Sequence, residues 1–133
     1  MPKYPLTYGL LKAKLPLIPV EVKGNSLCFL LDTGATHNIL DSKVASYFEE
    51  IITPVGEGNL ISLAGITEAA KRVNLPFTFE GKEYDTIFTV FDTTNSFEQV
   101  EKESGIPIHG LLGTEFLLEH EWTINFETLE LIF

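Results

Sequence analysis

The stretch Phe29-Leu30-Leu31-Asp32-Thr33-Gly34-Ala35-Thr36 decides how the rest of the chain is read. An apolar run delivers an aspartate, and the chain turns at once through Thr33 and Gly34. Glycine at that step carries no side chain to obstruct a tight turn, so its backbone N–H can face the carboxylate. Asp-Thr-Gly by itself says little, since average composition puts it by chance in about 2–4% of chains this long. Its bland reading is a strand-end turn whose aspartate accepts local backbone N–H groups. The surroundings argue for more. A carboxylate at the end of an all-apolar strand needs a reason to be there. Downstream, His109-Gly110-Leu111-Leu112-Gly113 lets another strand pass close to the first turn, and Ile61-Ser62-Leu63-Ala64-Gly65-Ile66 could form a hairpin over a groove.

Outward from this stretch, hydrophobic periodicity switches often between two and 3.6, which predicts many strands and a few short helices. Leu15 to Leu31 reads as a hairpin: Leu17–Val22, a turn over Lys23-Gly24-Asn25-Ser26, then Leu27–Leu31. Pro16 and Pro19 make the first arm an edge or a bulged strand. The second arm is apolar throughout, as a strand buried on both faces would be. Asp41 caps a helix running to about Glu50, with Val44, Tyr47, Phe48 and Ile51 on its apolar face. Leu60–Ile66 and Val73–Phe79 are strand-like, with a bend at Ala64-Gly65, and Tyr84–Phe91 pairs back through Glu80-Gly81-Lys82. Asn95-Ser96-Phe97-Glu98 resembles a capping box that opens a helix ending near Gly105. Ile108–Leu112 is a short strand, and Thr114 caps a helix over Glu115–His120. Trp122, Ile124 and Phe126, then Leu129, Leu131 and Phe133, alternate around Glu127-Thr128 as a terminal hairpin.

The length of 133 residues predicts one domain, 1–133, large enough to bury a core without staples. Nine Lys+Arg against nineteen Asp+Glu leave a formal charge of −10. That balance argues against nucleic acid, whose phosphates need a basic footprint, and against anionic membrane surfaces. No apolar run approaches the roughly 18–20 residues of a spanning helix. The opening Met1-Pro2-Lys3-Tyr4-Pro5-Leu6 shows no signal peptide, which gives the expectation of a cytoplasmic protein. The lone Cys28 excludes an intrachain disulfide and reads as a packed thiol. His37, His109 and His120 lack the spacing of a zinc motif, so no metal site and no cofactor is expected, and Ser62 lacks a nucleophile elbow. His37 reads as a solvated loop histidine, and Trp122 and Phe126 as core.

The chain resembles the retropepsin-like aspartic proteases, nearer to cellular or bacterial members than to viral ones. The resemblance spans roughly Leu15 to Phe133. It rests on Leu30-Leu31-Asp32-Thr33-Gly34-Ala35, on a flap-like hairpin around Gly65, and on Leu111-Leu112-Gly113 followed by a short helix and a terminal hairpin. It implies a mostly β fold, a closed barrel of the acid-protease type with two or three short helices. It also implies peptide-bond hydrolysis by two aspartates, the second from another copy of the chain. On this resemblance Asp32 is catalytic, and Thr33 locks the two active-site loops across the dimer. Gly34 helps bond the carboxylates, and Ala35, Leu111, Leu112 and Gly113 support the loop. Ser62, Leu63, Ala64, Gly65 and Ile66 cover the substrate.

The sequence departs from the viral pattern at one point. Viral members follow the motif with an acidic residue that pairs with an arginine just after the later glycine. Here those stretches read Ala35-Thr36-His37-Asn38 and Gly113-Thr114-Glu115. That ion pair is missing, and the dimer must be held otherwise. The Asp32-to-Gly113 interval is also longer than in compact viral enzymes, with the insert expected to include the Asn95–Ser104 helix.

Only Phe91-Asp92-Thr93-Thr94 looks like a second motif, and it lacks the glycine. It reads instead as the end of a strand before a helix. A homodimer is therefore expected, with a peptide or protein as substrate. The apolar terminal strand is open to two readings: an edge that a partner covers, or a strand that closes the barrel within one subunit. A different class stays open too: a catalytically silent dimerisation or peptide-binding module that keeps the barrel and retains Asp-Thr-Gly as a structural turn.

Overall fold

The computed structural model describes residues 1–61 and 67–133, the side chains of 57–61 and 67–69 excepted. The order of elements is β1 (Lys3–Pro5), α1 (Thr7–Ala13), β2 (Leu17–Val22), β3 (Asn25–Leu31), β4 (Ile39–Asp41), α2 (Ser42–Tyr47) and β5 (Thr53–Ile61). It continues with β6 (Thr67–Phe79), β7 (Lys82–Phe91), α3 (Thr94–Ser104), β8 (Gly110–Leu112), α4 (Thr114–Glu119), β9 (Thr123–Asn125) and β10 (Glu130–Ile132).

Six strands run in the order β2-β3-β8-β4-β7-β6, and a single pairing, Glu21 with Thr78, closes them into a barrel. The fold is thus mostly β and barrel-shaped, with four short helices among the described residues. The hairpins turn through Lys23-Gly24 and Glu80-Gly81. All four residues have positive φ (51°, 79°, 49° and 81°), the twist that two-residue hairpin turns require. Asn25 and Ser26, expected in the first turn, are already strand.

Local chemistry explains the strand edges. Both the N–H and the C=O of Cys28 bond His109, the N–H to the imidazole Nδ1 and the C=O to the backbone N–H, each at 2.9 Å. Cys28 therefore exchanges no ladder bonds with Pro19, its register partner. The N–H that Pro19 lacks would have faced the mostly unpaired side of β2, where proline costs nothing.

The barrel interior is filled by alternating residues. Ile18, Val20 and Val22 come from β2, Leu27, Phe29 and Leu31 from β3, and Val73, Leu75, Phe77 and Phe79 from β6. Phe29, Phe77 and Phe88 meet edge-on or tilted, the first two with centroids 5.4 Å apart. A second, smaller core of Leu17, Ile106 and Ile108 gathers Cys28, Leu30, Phe97 and Val100 outside the barrel. β3 is accordingly buried fully on one face and only half-covered on the other, less than its apolar sequence implied.

Other boundaries differ for identifiable reasons. The helix after Asp41 stops at Tyr47, and it buries Ala45 while Tyr47 is exposed. α3 begins at Thr94, before the expected Asn95 cap, because Asp92 accepts from the Thr94 N–H and hydroxyl and Asp41 from those of Thr93. α1 has no side-chain cap and carries Gly9, so propensity does not announce it. A Cβ on Gly9 would lie 2.6 Å from the Leu15 carbonyl oxygen, so its absence allows the helix to pack against β2. The terminal hairpin forms as expected, but β10 has no open edge. It lies between β9 and β1, with Leu131 fully buried. The strand is therefore paired within its own subunit, but in a separate three-stranded sheet, while the barrel is closed by β2 and β6 instead.

Candidate active site

Asp32 follows directly on β3, which runs parallel to β8 with Phe29, Leu30 and Leu31 opposite Gly110, Leu111 and Leu112. The ladder extends one step further, since the Asp32 N–H donates to the Leu112 carbonyl at 2.9 Å. Two buried strands thus fix the aspartate's backbone. The Gly34 N–H donates to Asp32 Oδ1 at 2.9 Å. A Cβ on Gly34 would stand 3.1 Å from that oxygen, so the glycine serves close approach of the carboxylate. Asp32 is half-buried, while Thr33 and Gly34 are exposed.

The second motif holds this loop from below. A Cβ on Gly113 would lie 2.6 Å from the His37 carbonyl oxygen and 2.7 Å from that of Ala35. Gly110 is as confined, with the Ile39 carbonyl oxygen 2.8 Å from a Cβ placed there. Leu112 is completely buried and Leu111 nearly so. The Thr114 N–H donates to the Ala35 carbonyl at 2.8 Å, and the Glu115 N–H to the Thr36 carbonyl at 3.1 Å. Six of the expected residues, Thr33, Gly34, Ala35, Leu111, Leu112 and Gly113, therefore gather around Asp32. The flap residues Ser62, Leu63, Ala64, Gly65 and Ile66 lie outside the described residues. The strands that lead to them, β5 and β6, pair as far as Ile61 and Thr67.

Sequence reasoning missed three of the supports. Asn38, buried, accepts from the Gly113 N–H at 2.9 Å and donates its amide to the Ile87 carbonyl at 3.1 Å. Thr114 does not cap α4, whose N-cap is Gly113. Its hydroxyl instead donates to the Thr33 carbonyl at 2.8 Å. His37 is exposed, as expected, but its Nδ1 meets Glu115 Oε2 at 2.7 Å. The two loops are therefore bridged by a pair of opposite polarity to the viral one, base first and acid second. Being solvent-exposed, it contributes little to stability.

Beside Asp32 lies an apolar concavity of about 530 Å³, walled by Leu15, Pro16, Leu117, Trp122 and Ile124. Phe126, expected in the core, is 63% exposed at its rim. Among the described residues Asp32 is the one carboxylate lining it. Asp92, the look-alike, sits exposed at the start of α3, and its bonds to Thr94 hold its pKa below the ordinary range. Cys28 is half-buried, and burial pushes its thiol up to about 11, so it is protonated at neutral pH. Among the described residues no cluster of His, Cys, Asp and Glu could hold a metal ion, and no helix is long and apolar enough to cross a membrane.

A family model described as aspartyl protease matches residues 18–116. The retroviral protease-like domain of Ddi1 from Leishmania major superposes with a TM-score of 0.59 at 14% identity, over 85% of this chain and 82% of that one. The EIAV protease in complex with the inhibitor HBY-793 superposes with a TM-score of 0.54 at 17% identity, over 80% of this chain and 88% of that one. A search of curated proteins finds no match.

Proposed function

We propose, for a chain that belongs to the retropepsin-like aspartyl protease family, that it is a peptidase whose nucleophilic water is activated between the Asp32 side chains of two copies. The observation that carries this reading is the position of Asp32. It is fixed by the Leu112 carbonyl and the Gly34 N–H, half-buried, and is the one carboxylate among the described residues beside an apolar concavity.

One carboxylate is half of the required machinery. Hydrolysis needs an ionised carboxylate to take a proton from water and a protonated one to polarise the scissile carbonyl. The water oxygen bonds the carbonyl carbon, the C–N bond breaks, and the leaving nitrogen takes a proton from the pair. Two carboxyls about 3 Å apart share one proton and titrate as a unit, which supplies both roles. A twofold axis beside Asp32 brings the residue against its own copy. The exposed Thr33 and Gly34, with the apolar walls and Phe126 next to them, are surface that such a partner would cover. Because β10 is already paired on both sides, this concavity takes the place of a terminal-strand edge as the expected contact. An extended peptide would then lie in the groove and pair its backbone with β5–β6 and the barrel floor.

The test is cleavage of a denatured protein across pH 3–7 by wild type and by Asp32→Asn. Wild type is expected to cleave, most strongly at acidic pH, and the variant to lose about 10²–10⁴-fold while keeping fold and dimer. The rival is the silent peptide-binding module, which the local Asp32–Gly34 bond suits equally well because it needs no substrate. Wild type that cleaves nothing over this range decides for that rival.

A further inference from the structure

A second concavity lies away from Asp32. One cavity of about 470 Å³ sits between α2, α3 and the start of β3, and another of about 380 Å³ between α1, β2 and the Gly105–Pro107 segment. Both are lined by Ser26, Leu27, Pro107 and His109, so they adjoin there as one groove. Ser26 and Asp32 are six strand residues apart, about 20 Å at 3.3 Å per residue. The volumes fall in the range of ligand sites, and Leu27, Val44, Phe97 and Ile108 give the larger cavity an apolar part beside its polar and charged lining. α3, the helix expected within the insert, builds one side.

Acidic side chains outnumber basic ones in the larger cavity. Asp41, Glu98 and Glu101 line the larger cavity against a single Lys43, and no cation lies within ion-pair distance of the three among the described residues. Asp41 is buried, and its side-chain oxygens accept from the Lys43 N–H, the Thr93 N–H and the Thr93 hydroxyl. Glu98 and Glu101 are one turn apart on the same face of α3. His109 accepts from Cys28 at Nδ1, so its neutral ring carries the proton on Nε2. Burial holds its pKa below the ordinary value, against the pull of Asp41 and Glu101, so it adds no positive charge at neutral pH. An anion suits the groove less: of the N–H groups at the start of α3, that of Thr93 is taken by Asp41 and that of Thr94 by Asp92. Carboxylates in an apolar cleft suit an aliphatic stem with a cationic tip, which the ring of Phe97 can also attract.

We propose that the groove formed by α2, α3 and the first half of β3 is a second binding site, separate from Asp32, for an arginine or lysine side chain of a peptide segment. The smaller cavity, with Ile18, Ile106 and the exposed Tyr8, takes the apolar residue beside it.

The test is a titration of the ¹⁵N-labelled full chain with acetyl-Leu-Arg-amide and with its neutral citrulline isostere. The arginine peptide is expected to give saturable shifts at Cys28, Lys43, Thr93 and Thr94, leaving Asp32 to Ala35 unmoved. The citrulline peptide and the variant E98Q/E101Q are expected to weaken binding by about tenfold or more, with the variant's other resonances unchanged. Equal binding of both peptides, shifts centred on Asp32, or no saturation overturns the proposal. So does a concentration-dependent shift of the groove amides without peptide, which would make a second copy of the chain the occupant.

Discussion

Gly113 shows how closely single residues are confined at this site. Any side chain there would drive a Cβ into the carbonyls of His37 and Ala35. Gly113→Ala is expected to cost about 1–3 kcal/mol in urea unfolding and to reduce activity more than that loss explains, because the Asp32 loop must move. Thr86 is the opposite case. Its hydroxyl is buried without a partner among the described residues, on a strand position paired with the fully buried Leu75. Thr86→Val keeps the shape and removes an unpaired dipole, so it should raise stability by about 1 kcal/mol or more; an unchanged or lower unfolding midpoint would contradict that assignment. His109 carries a pH dependence. Its folded pKa is lowered by burial, so below about 6.5 the unfolded chain binds the proton more readily than the folded one. Stability should therefore fall as pH drops through the His109 range. His109→Gln can still accept from Cys28 but cannot be protonated, and should flatten this part of the curve between pH 7.5 and 5.

Among the elements, those with local punctuation were legible. Lys23-Gly24 and Glu80-Gly81 mark two hairpins, Gly105 ends α3 with positive φ, and Asp41 caps α2. Asp-Thr-Gly and Leu-Leu-Gly marked the two stretches that the fold brings together, because glycines at strand ends signal close backbone approach. What was not legible depends on contacts distant in sequence. α1 forms against β2 without a cap, and β1 finds β10 across nearly the whole chain. Asn38 and Thr114 earn their roles only from what folds beside them. Nothing in the spacing of His37 and Glu115 announced their pairing either. The terminal sheet gives a test at this scale. Leu131→Ala should cost about 2–5 kcal/mol, independent of protein concentration, because the buried strand is completed by its own chain. A loss that disappears at high concentration would instead mean that a partner completes the sheet.

For the whole molecule, charge and assembly oppose each other. Two copies would carry −20 at pH 7, twice the −10 of one chain. Protonation of carboxylates relaxes that repulsion, so dimer content and activity should rise as pH falls from 8 towards 4. Phe126→Asp places a charge on the exposed rim beside Asp32 and should shift the sedimentation equilibrium towards monomer without altering monomer stability. The central claim is that two Asp32 side chains make one site, and subunit mixing tests it most directly. Wild type and Asp32→Asn, unfolded together in equal amounts and refolded, should retain about a quarter of the all-wild-type activity at the same total concentration, because only dimers with two aspartates work. Retention of about half would mean that each chain acts alone, and would contradict the shared dyad.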